Sequence, residues 1–130
     1  MPERTEKAFK ILNNMLPPEV LNRVAEKDTS QVFAGDLAKL ALNGVFEPLW
    51  TDDRIDLRTR SLITVAILIA LRAYGELTIH VPAAIRNGAT ISDIEQVLYQ
   101  ATGYAGFPAA SSAATVAAKA LRAAGMLPEA

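Results

Sequence analysis

His80 is the only histidine in this chain of 130 residues, and it stands four positions after Glu76. On a continuous helix that spacing puts both side chains on one face. A carboxylate beside an imidazole raises the imidazole pKa and orients its ring, a common construction for a general acid or base. The same spacing also describes a surface ion pair. With no second imidazole in the chain, any histidine-mediated proton transfer falls to His80.

Two further groups carry usable chemistry. Arg58 and Arg60 precede a long apolar run, and Arg86 follows His80 by six positions. Arginine grips carboxylates with two parallel hydrogen bonds, so these are candidate anchors for an anionic substrate. Arg58 and Arg60 cannot share a helix face, so one is expected to be buried and paired and the other exposed. His80 and Arg86 do not share a face either, so a joint site needs a second helix or a neighbouring subunit. In the segment from Tyr99 to Pro108, Gln100 and Tyr104 lie four apart on one helix face and a Gly106-Phe107-Pro108 hinge follows. Backbone N–H groups at a helix opening with Pro108 can receive an anion. Read structurally, the hinge is a tight turn between helices.

Composition narrows the field. Acidic and basic residues nearly cancel, at a net charge of −1, so no basic field exists to hold nucleic acid. There is no cysteine, which removes disulfides, thiol catalysis, iron–sulfur clusters and most structural zinc sites. With one histidine, no metal or redox cofactor is expected. The longest apolar run, Leu62 to Leu71, is about half the length of a membrane span. The charged start MPERTEKAFK lacks the apolar core of a signal peptide. A cytoplasmic protein with no membrane association is expected. Apolar residues make up 51% of the chain, many of them alanine, which suits close helix packing and buried subunit contacts.

The elements that must hold these residues read as helices throughout. A short amphipathic helix over 5–16 places Phe9, Leu12 and Met15 on one face and ends at Pro17-Pro18. A brief piece follows over 19–25. Thr29 or Ser30 caps a helix over 31–43 that closes at Asn43-Gly44, and residues 45–51 form a connector. Asp56 caps a helix over 57–73 that is apolar almost all round, so both its sides need cover. Gly75 breaks it, and a helix over 76–87 carries Pro82, which predicts a kink or a late start. Ser92 to Glu95 reads as a capping box for a helix running to 105. A last helix over 108–124 ends at Gly125. No stretch alternates as a strand would. The expectation is an all-α, single-domain protein, with an N-terminal helical segment over 1–44 and a core over 45–130.

Taken together, the segments Arg58 to Ala66, Glu76-Leu77 with His80, Ala84 to Gly88, Ile94 to Leu98, Gln100 and Tyr104 to Ala110 resemble the carboxymuconolactone decarboxylase family in order and spacing, over roughly residues 45–122. That resemblance implies an alkylhydroperoxidase-like helical fold assembled into trimers or hexamers. It implies a carboxy-lyase of aromatic catabolism that acts on 4-carboxymuconolactone. Two departures stand out. The Cys-x-x-Cys pair of the peroxidase branch would fall at Ala73 and Glu76, and its relay glutamate near Ser61, so a thiol peroxidase is excluded. Residues 1–44 lack the Gly-Asp-x-x-Val-like segment of true 4-carboxymuconolactone decarboxylases, and Ser111 replaces the asparagine of their Pro-Ala-Ala-Asn.

The residues allow a mechanism without a cofactor. Loss of carbon dioxide from an unsaturated lactone leaves a dienolate, so catalysis needs carboxylate anchors, an oxyanion partner and an acid. Arg58, Arg60 and Arg86 can anchor. Gln100, Tyr104 or the backbone near Pro108 can bind the oxyanion. His80, supported by Glu76, can deliver the proton. The same parts would serve a lactone isomerase, dehydratase or cyclase. The competing expectation is a helical oligomer that binds a small molecule without turnover.

Overall fold

In the computed structural model, which describes residues 2–130, Asp56 opens the helix that carries the longest apolar run, as expected. Its side chain accepts the Thr59 N–H at 2.7 Å. The helices are α1 (Glu3–Met15), α2 (Pro18–Ala25), α3 (Asp36–Ala41), a π-helix (Leu42–Trp50), α4 (Leu57–Leu71), α5 (Tyr74–Arg86), α6 (Ile91–Tyr104) and α7 (Phe107–Ala123). No strand occurs among the described residues. No helix among them is long and apolar enough to cross a membrane.

Internal contacts divide the chain after Ile55 into two compact units. The sequence places this boundary after residue 44. The reason for the difference is the segment 45–51, expected to be a connector, which instead continues the helix begun at Asp36 as a widened π turn. Leu42, Phe46 and Trp50 recur every four residues, and the wider turn keeps them on one side. Trp50 is buried in the first unit with Ala8, Leu12, Met15, Leu16 and Val24. Polar ties fasten α1 to this π-helix: Arg4 donates to the Glu47 carbonyl at 3.0 Å, and Thr5 to the Glu47 carboxylate at 3.2 Å. Thr51 also donates to the Glu47 carbonyl. Phe9, expected to face the core, is only half-buried, and Ala8 takes the buried place. The expected helix over 31–43 is shorter at its start, because residues 30–35 form turns before Asp36.

The second unit is a four-helix arrangement in which α4 packs on α5, α6 and α7, and α7 also packs on α5 and α6. Val65, Ile69, Leu77, Val81, Ile94 and Leu121 supply most of its core volume. The buried side of α7 is mostly alanine: Ala109, Ala110, Ala113, Ala117 and Ala120. Side chains that small let helix axes come close. Arg72, not Gly75, ends α4. It adopts the left-handed conformation at φ +56°, and the Ala73 N–H then closes onto the Leu68 carbonyl at 2.9 Å. Gly75 lies within α5, which starts before Pro82 and runs through it. Gly106, at φ +100°, makes the turn into α7.

The cap of α6 sits two residues earlier than Ser92, at Thr90. Thr90 accepts the Asp93 N–H at 3.0 Å, and the Asp93 carboxylate accepts the Thr90 N–H at 2.8 Å. The same carboxylate takes a two-pronged grip from Arg58, at 3.0 Å from Nε and 2.6 Å from Nη2. One acid therefore caps α6 and ties it to the first turn of α4. The Arg58 guanidinium, with the Thr90 N–H, holds the Asp93 carboxyl well below its usual 3.8, at about 2.

Two outcomes follow from this packing. Ile69→Ala, at a position wholly removed from solvent, should lower unfolding free energy by about 2–5 kcal/mol in urea titration. The Asp93 pKa is depressed by folding, so its contribution is complete above pH 3.8 and is lost as pH falls toward 2. Melting curves should show Asp93→Asn clearly less stable than the parent at pH 5, with the gap narrowing at pH 3. A gap that stays constant across that range would mean that the carboxylate charge contributes nothing.

Candidate functional site

His80 lies midway along α5, the helix that packs against both α4 and α7. Its neighbours Val81, Pro82, Ala83 and Ala84 are buried, and the imidazole is itself largely withdrawn from water. Burial pushes its pKa below 6.5, and the negative charge of Glu76 works in the opposite direction with smaller effect. The Glu–His spacing alone suggests a raised pKa. The structure reverses that sign, because removing water from the imidazolium outweighs a carboxylate that is itself exposed. At neutral pH the resting imidazole is therefore uncharged.

A buried polar contact joins the same two helices. Asn87, at the end of α5, donates from Nδ2 to Ser61 Oγ on α4 at 3.0 Å, and Ser61 is only 1% exposed. The sequence presents Asn87 merely as a helix stop, and only the fold shows that its side chain turns inward. Ser61, near which the sequence resemblance would put the relay acid of the peroxidase branch, is here a neutral hydrogen-bonding group.

Gln100 and Tyr104 come together as expected from their spacing. With Gln96, one turn before Gln100, they line an open cleft of about 540 Å³ whose floor includes Ala66 and Ala70 of α4. Gln96 was missed in the sequence, although its four-residue spacing from Gln100 is a visible signal. A second cleft, of about 420 Å³, lies between α6 and α7 and is walled mainly by Leu98, Phe107, Ala114 and Leu121, with Glu95 and Ser111 among its few polar groups. His80 lines neither cleft.

The arginines divide. Arg58 is committed to Asp93, so the more exposed of the pair near the start of α4 is the one held in a fork, while Arg60 is half-buried. Arg86 is exposed at the last turn of α5, and Pro108 is exposed in the first turn of α7. No cluster of three or more carboxylate, imidazole or thiol side chains able to hold a metal occurs among the described residues.

With this geometry in view, comparison with known proteins adds three findings. The family model described as "Carboxymuconolactone decarboxylase family" matches residues 36–126. A 4-carboxymuconolactone decarboxylase from Acinetobacter baylyi is 29% identical over 129 residues, covering 98% of this chain and 93% of that protein. A nitrosuccinic acid decarboxylase from Metarhizium robertsii is 26% identical over 114 residues, covering 88% of this chain and 78% of that protein. The family match covers well over half of the chain, including all of α4 through α7, and on that ground the protein belongs to the carboxymuconolactone decarboxylase family.

Proposed function

We propose that this protein is a cofactor-free carboxy-lyase that removes carbon dioxide from a small anionic lactone or keto acid. The observation that carries the reading is the chain's only histidine, withdrawn from water on α5 beside Glu76, in a chain similar to two proteins that are both named as decarboxylases. The relatives' names point to small carboxylic acids, and the substrate class assigned here follows them.

The proposed sequence of events is short. The substrate carboxylate leaves as carbon dioxide, and its bonding electrons pass into the conjugated system as a dienolate. Gln100 and Tyr104, which already share one cleft, stabilise the developing oxyanion, with the N–H groups beside Pro108 as the other donors available. His80, protonated from solvent once per turnover, delivers a proton to carbon. One proton is taken up for each carbon dioxide released. Anchoring of the substrate anion is assigned to Arg60 and Arg86. Arg58, a candidate anchor by sequence, is given the structural task of holding Asp93. The helical arrangement is proposed to be alkylhydroperoxidase-like.

We also propose assembly as a trimer or hexamer. Ile63, Ile67 and Leu71 recur every four residues along α4 and are about half exposed or more in the single chain. A continuous apolar stripe of that kind marks a surface that another molecule covers. The absence of His80 from the two clefts described above favours a second reading, in which the assembly binds a small molecule without turning it over.

Carbon dioxide release from a panel of lactone and keto-acid carboxylates decides between the two. On an accepted substrate, His80→Ala should lower turnover by about two to four orders of magnitude. Unchanged turnover in that variant removes the proton-donor assignment. The donor must be protonated and its pKa is depressed, so kcat/KM should fall as pH rises above an apparent pKa lower than 6.5. Glu76→Gln removes the charge that raises the pKa, so this limb should move to still lower pH. For assembly, Ile67→Glu should lower the sedimenting mass with helicity unchanged, and a parent protein that is monomeric at micromolar concentration refutes the proposal.

A further inference from the structure

The two carboxylates of helix α6 are placed apart from its cleft with α4. Asp93 is held by Arg58, and Glu95 lines the other cleft, against α7. The α4–α6 cleft is left with neutral residues alone. Three of its side chains can hydrogen-bond: Gln96, Gln100 and Tyr104, spaced one turn apart along α6. The chain has three glutamines, and two of them meet here.

This lining decides what the cleft can take. A carboxylate leaving water needs a cation or several charge-assisted donors, and without them its desolvation costs far more than that of a neutral polar group. A neutral acceptor makes no such demand. The carbonyl or ring oxygen of a lactone can accept from a carboxamide N–H or a phenol O–H, and each glutamine offers two such N–H donors. Ala66, Ala70 and Ala101 contribute only methyl groups, which leaves room for a flat ring beside the amides. The volume of about 540 Å³ lies within the range of small-molecule sites.

We propose that Gln96 is a specificity-determining residue, which touches the substrate beside Gln100 and Tyr104. The α4–α6 cleft then selects the uncharged carbonyl end of the substrate and refuses a carboxylate at that end. The assignment rests on the reading of the protein as a carboxy-lyase and deepens it. The departing carboxylate, and any second one, belongs with cations outside this cleft. Gln100 and Tyr104 meet the oxygen on which charge develops. Gln96, one turn earlier, meets a part of the substrate that stays neutral.

Nuclear magnetic resonance on the intact protein, isotope-labelled at its glutamine side-chain nitrogens, tests the assignment without turnover. Gln31, in the first unit, is the internal control. Gln96→Glu and Gln100→Glu identify the two cleft signals by deleting them. Butenolide, an uncharged lactone, should shift the Gln96 and Gln100 signals and leave that of Gln31 in place. Succinate, a dicarboxylate with no lactone carbonyl, should shift neither cleft signal. A shift with succinate, or none with butenolide, overturns the proposal. Gln96→Ala should raise the butenolide Kd about two- to ten-fold, the range for one neutral hydrogen bond. An unchanged Kd takes Gln96 out of the site. Gln96 is exposed, so Gln96→Lys should fold normally by circular dichroism. In that variant succinate should now shift the Gln100 signal, and butenolide should bind more weakly than to the parent. A lysine variant that still ignores succinate overturns selection by charge. Neither probe has to react, so a protein that releases carbon dioxide from no substrate would lose the carboxy-lyase reading while these binding outcomes stood or fell separately.

Discussion

Helix α5 has to fit between α4 and α7, and alanine makes this possible. The buried side of α7 offers Ala109, Ala113, Ala117 and Ala120, and α5 brings Ala83 and Ala84. Larger side chains on that face would push the helices apart and admit water around the middle of α5. The neutral resting state of His80 depends on that exclusion, because burial lowers its pKa more than Glu76 raises it. An imidazole tuned this way yields its proton readily once it has acquired one, and a carbanion acceptor needs that property. Packing geometry and acid strength are thus two readings of one constraint.

The same economy of side-chain volume leaves apolar surface outside. Helices joined by small residues enclose a thin core, and apolar residues on the sides that no neighbouring helix covers point outward. On α4, Val65 and Ile69 go in while Ile63 and Ile67 stay out. The first unit shows the same division, with Leu12 and Met15 inside and Phe33 and Leu40 outside.

Much of this was legible in the residues, and the failures have physical causes. The helices of the second unit were readable because Asp56, Gly106 and Gly125 mark their ends by capping chemistry or by a positive φ. The pairing of Gln100 with Tyr104 followed from helical spacing. Arg72 was unreadable as a stop, because a non-glycine residue in the left-handed region is set by tertiary context rather than by residue type. The π-helix was hidden behind Gly44 and Pro48, both of which ordinarily argue against helix. The sign of the His80 shift could not be read from Glu76, because desolvation comes from residues distant in sequence. Asp93 was read only as a capping-box residue, and nothing in the sequence links it to Arg58, 35 positions earlier.

Asp93 carries a consequence that concerns descent rather than energy. Its two oxygens are shared among Thr90, which it caps, and Arg58, which it anchors. Replacing the acid frees a cation and removes one half of the capping box in one mutational step, while the Thr90 hydroxyl still holds the backbone N–H at position 93. Replacing the arginine leaves a carboxylate that still has a capping task. Positions 58, 90 and 93 are therefore coupled, and a change at one of them alters what a change at the others costs. Across a lineage they should drift together, along routes that begin at Arg58, since its loss disturbs one contact rather than two.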